Sequence, residues 1–473
     1  MVRTWVAVLV LGVSGAAAAH GPLFLADRPE CRELDRYARK DGHSPLDGLV
    51  ITKGGEIQYE TYGKKWGPDQ PHALWSVTKT ITGALLGIAV RDGRISLDQR
   101  LSEFYPRGQA DAAYDSIRIS DLFYMDTGLK WNESINDAGQ SALLSMLFGP
   151  YRADMAAFVA SRPEAPQGGG YKWQYNSGNH ALAMGVLRQV YGQDYITFPW
   201  RDLFGPLGMD RMVFERDLAG TFIGGAYGFA TPRDMAKFGN LYLNRGVMNG
   251  QTILPDGWIE KTLTPSPGYM TDALTEQQIS DGGNLLYGGS VWLNREPRPG
   301  MHRPFPASPD DMIMALGKDG QMIDVIPSHD IVIARTGRGG EYDSALDGLV
   351  TRTLACLEGS SDPVAPVAPG FLVTKPLSLK TDIEVLKTGL RTGLLQGAVA
   401  KWTCTCHFVS GLDIGDCVRR TNVPLASTFT HTKIHGDQVE VRPSGLGKII
   451  AGSSLTATAV FDSRNPQFGC TLQ

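Results

Sequence analysis

Trp75-Ser76-Val77-Thr78-Lys79-Thr80 opens a run, Ile81 to Val90, that reads as the most apolar helix in the middle of the chain. Ser76 and Lys79 are three residues apart, so a helix puts the hydroxyl and the amine on one face. A serine in the first turn also lies at the positive end of the helix macrodipole, which favours an alkoxide over a neutral hydroxyl. A free hydroxyl is a weak nucleophile and needs a base within hydrogen-bond reach. Lysine is that base only if its pKa falls from ~10.4 towards 7, through burial or a neighbouring cation. That shift of ~3 units, or ~4 kcal/mol against the ammonium, requires a site closed off from bulk water. Ser-x-x-Lys alone is weak evidence, because both residues are common on exposed helix faces; it occurs once in this chain.

Working outward, 473 residues suggest two or three domains, and 42% hydrophobic with 20% charged residues describe a globular chain with ample core. A net charge of -4 leaves no basic footprint, which argues against a nucleic-acid partner. Arg3, the apolar run Trp5 to Gly15 and the small residues Ala17-Ala18-Ala19 read as a signal peptide over residues 1–19, so a periplasmic or secreted protein is expected. The apolar run is too short to span a bilayer, and no membrane span is expected after cleavage. The six cysteines, Cys31, Cys356, Cys404, Cys406, Cys417 and Cys470, would then meet an oxidising compartment and could pair fully.

Residues 27 to 41 read as a helix with Asp27 as N-cap and Pro29 in its first turn. Leu49–Thr52 and Ile57–Thr61 read as a hairpin turning at Lys53-Gly54-Gly55. The Ser76 helix ends at Arg91-Asp92-Gly93, with glycine in the usual C-terminal place. Amphipathic stretches such as Ile119–Phe123, Ala142–Leu147 and Met235–Leu243 fill the middle. Tyr287–Leu293 reads as a strand, Asp311–Gly317 with Gln321–Ile326 as a second hairpin, Ile331–Thr336 as a further strand, and Asp343–Leu357 as a closing helix. Residues 359–370 form a Pro/Ala linker, and residues 371–473 a small unit with four of the six cysteines.

Several separated blocks share one order with a known superfamily. They are Trp75-Ser76-Val77-Thr78-Lys79, Gly93-Arg94-Ile95-Ser96-Leu97-Asp98, Asp121 to Leu129, Trp173-Gln174-Tyr175-Asn176-Ser177-Gly178-Asn179, Gly228 to Gly239, and Gly320-Gln321. Over roughly residues 45 to 357 the chain resembles the serine β-lactamase and penicillin-binding-protein superfamily, in the class C-related branch with family VIII esterases and 6-aminohexanoate-dimer hydrolase. The resemblance implies an α+β fold: a helix-flanked antiparallel sheet within residues 20–358, a mostly helical insert over about 76–284, and the small C-terminal domain as an addition. It implies acyl transfer with Ser76 as nucleophile and with Lys79 and Tyr175 managing the proton, and no metal or organic cofactor. Tyr175-Asn176-Ser177 takes the place of the family's second motif; a phenol flanked by a lysine ammonium is expected to have a depressed pKa.

The third motif departs from the family's Lys-Thr-Gly. The literal Lys387-Thr388-Gly389 lies beyond the linker and reads as coincidence, and Arg335-Thr336-Gly337 ends the strand after the one required. Ala315-Leu316-Gly317-Lys318-Asp319-Gly320 remains, in two registers. With Gly317 as motif glycine, the Lys318 N–H joins the Ser76 N–H as the oxyanion hole. With Gly320, the Lys318 side chain takes the cationic role and Gln321 supplies the N–H. Hairpin length favours the first, which leaves a penicillin carboxylate without its cation.

In the resembled fold the helices carrying Cys31 and Cys356 pack on one face of the sheet, so a Cys31–Cys356 disulfide is expected. Phe408-Val409-Ser410-Gly411 and Phe468-Gly469-Cys470-Thr471-Leu472 resemble two pieces of a prefix in some exported serine hydrolases. Cys404–Cys470 and Cys406–Cys417 pairs are expected there, since a unit of this size gains from staples. Zinc at Cys404-Thr405-Cys406-His407 with Cys417 is the weaker alternative. His72 and His329, without obvious partners, read as structural or surface residues. The resulting expectation is an exported hydrolase of small esters or linear amides. The alternatives are a penicillin-binding, D-alanyl carboxypeptidase or β-lactamase activity, or a low-turnover binding protein whose C-terminal unit binds a partner.

Overall fold

A computed structural model of the chain describes residues 29–41, 45–105, 113–134, 140–162, 173–271, 285–297, 299, 303–338, 344–359, 393–420, 426–445, 447–448 and 455–473. The signal segment, the Asp27 cap, the body of the linker and Lys387-Thr388-Gly389 lie outside the described residues.

The first hairpin forms as its sequence dictates. Strands β1 (Leu46–Lys53) and β2 (Glu56–Tyr62) meet at Gly54 and Gly55, whose φ values of 61° and 80° suit the tight turn. The β1 residues Asp47 to Thr52 are all buried, so β1 lies inside a sheet covered on both faces. That sheet has seven antiparallel strands. β3 (Leu286–Tyr287), β4 (Trp292–Leu293), β5 (Ile313–Gly317), β6 (Gln321–Ile326) and β7 (Ile331–Gly337) complete it in the order β2-β1-β7-β6-β5-β4-β3.

The single strand expected over Tyr287–Leu293 is instead two short strands. Ser290 at φ 59° reverses the chain after Gly288-Gly289, and Tyr287 pairs with Trp292. Gly289 is required there because a Cβ would collide with the Phe123 ring.

One face of the sheet carries the helices α1 (Pro29–Arg36) and α5 (Ser344–Glu358), tied by the Cys31–Cys356 disulfide and packed on Ile51, Met314 and Ile333. The other face meets α2 (Val77–Arg91) and α4 (Pro232–Leu243), with α3 (Ser177–Tyr191) in the same core. Thr231 caps α4 by accepting from Asp234 N, and Pro232 fills the first helical position. Gly239 lets α4 lie flat on the sheet, since a Cβ there would collide with Val332. Arg233 adds a bidentate pair to the buried Glu60 of β2, at 2.6 and 2.8 Å.

The C-terminal unit is built from α6 (Leu394–Phe408) laid on a second antiparallel sheet, β8 (Thr430–His435), β9 (Gln438–Pro443), β10 (Ala457–Phe461) and β11 (Cys470–Leu472). Val399, Ala400, Val439, Val441, Ala459 and the Cys404–Cys470 disulfide form its core. Cys406 pairs with Cys417, so all six cysteines are in disulfides. No helix among the described residues is long and apolar enough to cross a membrane.

Candidate active site

α2 starts at the meeting of both layers. Leu74 N donates to Gly228 O at 2.9 Å and Gly228 N donates to Thr78 Oγ1 at 3.1 Å, fixing the chain on either side of Ser76. Residues 77–89 are buried all round, as an apolar helix without a polar stripe must be. Trp75 holds φ at 47°, a left-handed value that costs a non-glycine residue roughly 1–2 kcal/mol. Such backbone persists only where its surroundings over-determine it.

Ser76 occupies the N-cap position, yet its hydroxyl makes no capping bond to the helix. It accepts instead from Lys79 Nζ at 2.9 Å. The same Nζ donates to Gly225 O at 2.7 Å, and Lys79 is 2% exposed. Burial pulls the Lys79 pKa down to about 8, with the Glu133 carboxylate working the other way. The lysine therefore has the lowered basicity that the sequence chemistry demanded, and desolvation supplies it.

Tyr175 precedes the Asn176 cap of α3, which accepts from Gly178 N and Asn179 N. Its ring lies 4.9 Å from Lys79 Nζ and stacks on Trp292. The expected depression of its pKa is not what the structure gives. Burial, then the Glu133 charge, push the phenol above its usual range, with only the Ser76 contact pulling it down. Tyr175 is thus a neutral phenol at neutral pH, able to donate and reluctant to ionise.

Two neighbours were not legible beforehand. Glu133 accepts from Ser177 N at 3.0 Å, and also from Ser177 Oγ and Trp131 Nε1, clamping the Tyr175 turn. His180, one turn into α3 and 2% exposed, has its pKa held well below the usual value by burial and by Lys79, so it adds no positive charge beside the amine. No spacing relative to Ser76 or Tyr175 marks either residue.

Gly317, at the end of β5, is the glycine that meets the Ser76 turn. A Cβ there would collide with the Leu74 carbonyl and lie 3.1 Å from both Ser76 N and Val77 N. Gly320, at φ 78°, lies across the hairpin, where its carbonyl accepts from Arg335. The Lys318 ammonium donates to Asp319 Oδ1 at 2.8 Å and rests 5.7 Å from the Trp75 ring centre. His72 and His329 do have partners, at 3.1 Å from Asp47 and 2.9 Å from Glu358. His407 bonds Leu412 O, and among the described residues no group of three His, Cys, Asp or Glu is placed to hold a metal.

The Ser76–Lys79 pair thus sits where the antiparallel sheet meets the helical layer. The chain belongs to the beta-lactamase family, whose model matches residues 33–341. It is 27% identical over 244 residues to "6-aminohexanoate-dimer hydrolase" of Paenarthrobacter ureafaciens, which covers 49% of this chain and 59% of the relative. The chain thus matches less than two thirds of that relative's length. Among solved structures it is similar to a family VIII carboxylesterase, with TM-score 0.53, 15% identity, and 70% of this chain and 98% of the other covered. It is also similar to an octameric penicillin-binding protein homologue from Pyrococcus abyssi, with TM-score 0.52, 16% identity and 91% of each chain covered. At these identities the likeness is one of fold.

Proposed function

We propose that this protein is an exported serine hydrolase that cleaves small esters or linear amides through an acyl-enzyme on Ser76. The observation that carries the reading is the buried Lys79 amine, 2.9 Å from Ser76 Oγ and with a pKa drawn down to about 8. Neutral Lys79 takes the serine proton as Ser76 attacks the carbonyl carbon. The Tyr175 phenol relays that proton from the Lys79 ammonium to the leaving oxygen or nitrogen as the tetrahedral intermediate collapses, so that Lys79 ends neutral and Tyr175 protonated, as both began. Water then repeats the sequence on the acyl-enzyme. The Ser76 and Lys318 N–H groups hold the oxyanion, a role supported by the passage of Gly317 directly against the Ser76 turn.

Esters and linear amides are favoured over penicillins because the Lys318 ammonium is already engaged by Asp319. Export is supported by the N-terminal signal pattern and by the three disulfides, which suit an oxidising compartment. The test is a panel of short-chain p-nitrophenyl esters and linear amides, with fluorophosphonate labelling of the parent and of Ser76→Ala. Turnover and labelling that both require Ser76 are expected; equal turnover by Ser76→Ala overturns the reading.

A further inference from the structure

Resting on that reading, we propose that Trp402 of the C-terminal unit is a positioning residue for the oxyanion hole. The unit would then act as a built-in brace of the nucleophile turn.

The geometry runs through one side chain. Trp75, which immediately precedes Ser76, is stacked on Trp402 with ring centres 5.2 Å apart and planes 7° from parallel. Tyr227 leans on the Trp75 ring at 5.9 Å, and the Lys318 ammonium sits 5.7 Å from its centre. Trp75 thus touches Lys318 and is peptide-bonded to Ser76, the two residues whose N–H groups face the oxyanion. Its backbone is also held at φ 47°, which needs an outside support. Trp402 supplies that support from α6.

α6 is fixed hard enough to serve. Lys401, beside Trp402, is 2% exposed and pairs with the fully buried Glu215 at 2.6 Å. Glu215 also accepts from Thr405 Oγ1 at 2.6 Å and from Cys470 N at 2.7 Å. Lys401 stands over the Tyr227 ring at 5.0 Å, so the anchor and the stack share a neighbour. Two disulfides leave the same helix, at Cys404 and Cys406. Nothing in the chemistry of acyl transfer requires a residue more than 300 positions beyond the nucleophile, yet the fold places one against it.

The test is Trp402→Leu in the full chain, beside Trp402→Phe and Ser76→Ala. Misplacing reacting or oxyanion-binding groups by ~1 Å costs about 10²-fold. The leucine variant is therefore expected to lose 10- to 100-fold in kcat with KM little changed. Its affinity for a boronic acid transition-state analogue should fall by a similar factor, and Trp402→Phe should recover most of both. Rate and boronate affinity falling together, with KM held, is a pattern that a loss of fold does not produce. A leucine variant that melts with the parent and keeps its kcat and boronate affinity overturns the proposal, as does a loss confined to KM. If the leucine variant does not fold, Trp402→Met decides by the same readouts. A Ser76→Ala protein that still turns over fails the serine reading. An inactive Ser76→Ala beside a fully active Trp402→Leu fails only the brace.

Discussion

Two lysines are buried to the same degree in this protein, each 2% exposed, and they are held in opposite ways. Lys79 has a hydroxyl and a backbone carbonyl for company, and among the described residues no carboxylate forms an ion pair with it. Lys401 meets the Glu215 carboxylate at 2.6 Å and donates to Cys470 O as well. Burial pulls both amines down; at Lys401 the Glu215 charge opposes it directly, whereas at Lys79 the opposing charge, Glu133, is spent on Ser177 and Trp131. A buried amine without an ion-pair partner is poised to gain and lose a proton, while a paired one is an anchor. A lowered pKa by itself does not separate the two cases; the partner does.

The comparison breaks or holds on one pair of substitutions. Lys79→Met is expected to reduce turnover by roughly 10⁴-fold, close to Ser76→Ala, because the hydroxyl loses its base. Folding should not suffer. With a folded pKa near 8 against ~10.4 unfolded, the protonated amine costs the native state about 3 kcal/mol at pH 7, a cost the substitution removes. Lys401→Met leaves Glu215 buried and uncompensated, and a loss of about 3–5 kcal/mol is expected. Denaturant melts of both variants beside kcat on one ester give the answer. A stable Lys401→Met, or a badly destabilised Lys79→Met, would reverse the assignment.

Next in size is Tyr175→Phe. The ring still stacks on Trp292 and only the hydroxyl is lost, so the fold should hold while kcat falls roughly 10²–10⁴-fold. Residues that act as one unit are not additive, so the Lys79→Met, Tyr175→Phe double variant should be little worse than the worse single. Simple multiplication of the two losses would show that the groups act independently.

The pH profile sharpens the same point. The base must be neutral, so kcat/KM should rise about tenfold per pH unit on the acid side and level off above about 8, the Lys79 value. Because the Tyr175 phenol is pushed above its usual range, ionisation of Tyr175 should not cut into the plateau below about pH 10. An acid limb centred near 6 instead would point to a histidine or carboxylate base.

The sequence made the local parts of this plan readable. Ser76 and Lys79 lie in one turn, so helical periodicity alone joins them. The hairpins at Gly54-Gly55 and at Lys318 to Gly320 follow from turn chemistry. The Cys31–Cys356 pair, 325 residues apart, came from the resemblance and not from periodicity. What could not be read depends on long-range packing. The phenol's pKa is set by burial among elements from four separate stretches, and a depressed value was expected from its nearest cation alone. Glu133 and His180 act through space, without a spacing signature. Trp402 lies beyond the linker, and nothing about a tryptophan in a helix there announces that it stacks on the residue before Ser76.

The smallest expected effect belongs to Lys318, which tests where a cation matters in this site. Its side chain points back to Asp319 and the Trp75 ring, and is 34% exposed. An exposed pair of this kind contributes roughly 0–1 kcal/mol. If the Lys318 contribution to the reaction is its backbone N–H, alanine retains it, and Lys318→Ala should cost less than about fivefold in kcat/KM for neutral esters. A side-chain role as an oxyanion or carboxylate partner would instead cost 10²-fold or more. Lys318→Pro, which removes the N–H itself, is the matched control and should fall by that larger factor while alanine does not. Should alanine and proline fall together, the ammonium is at work after all, Gly320 replaces Gly317 as the motif glycine, and substrates bearing a carboxylate return to consideration.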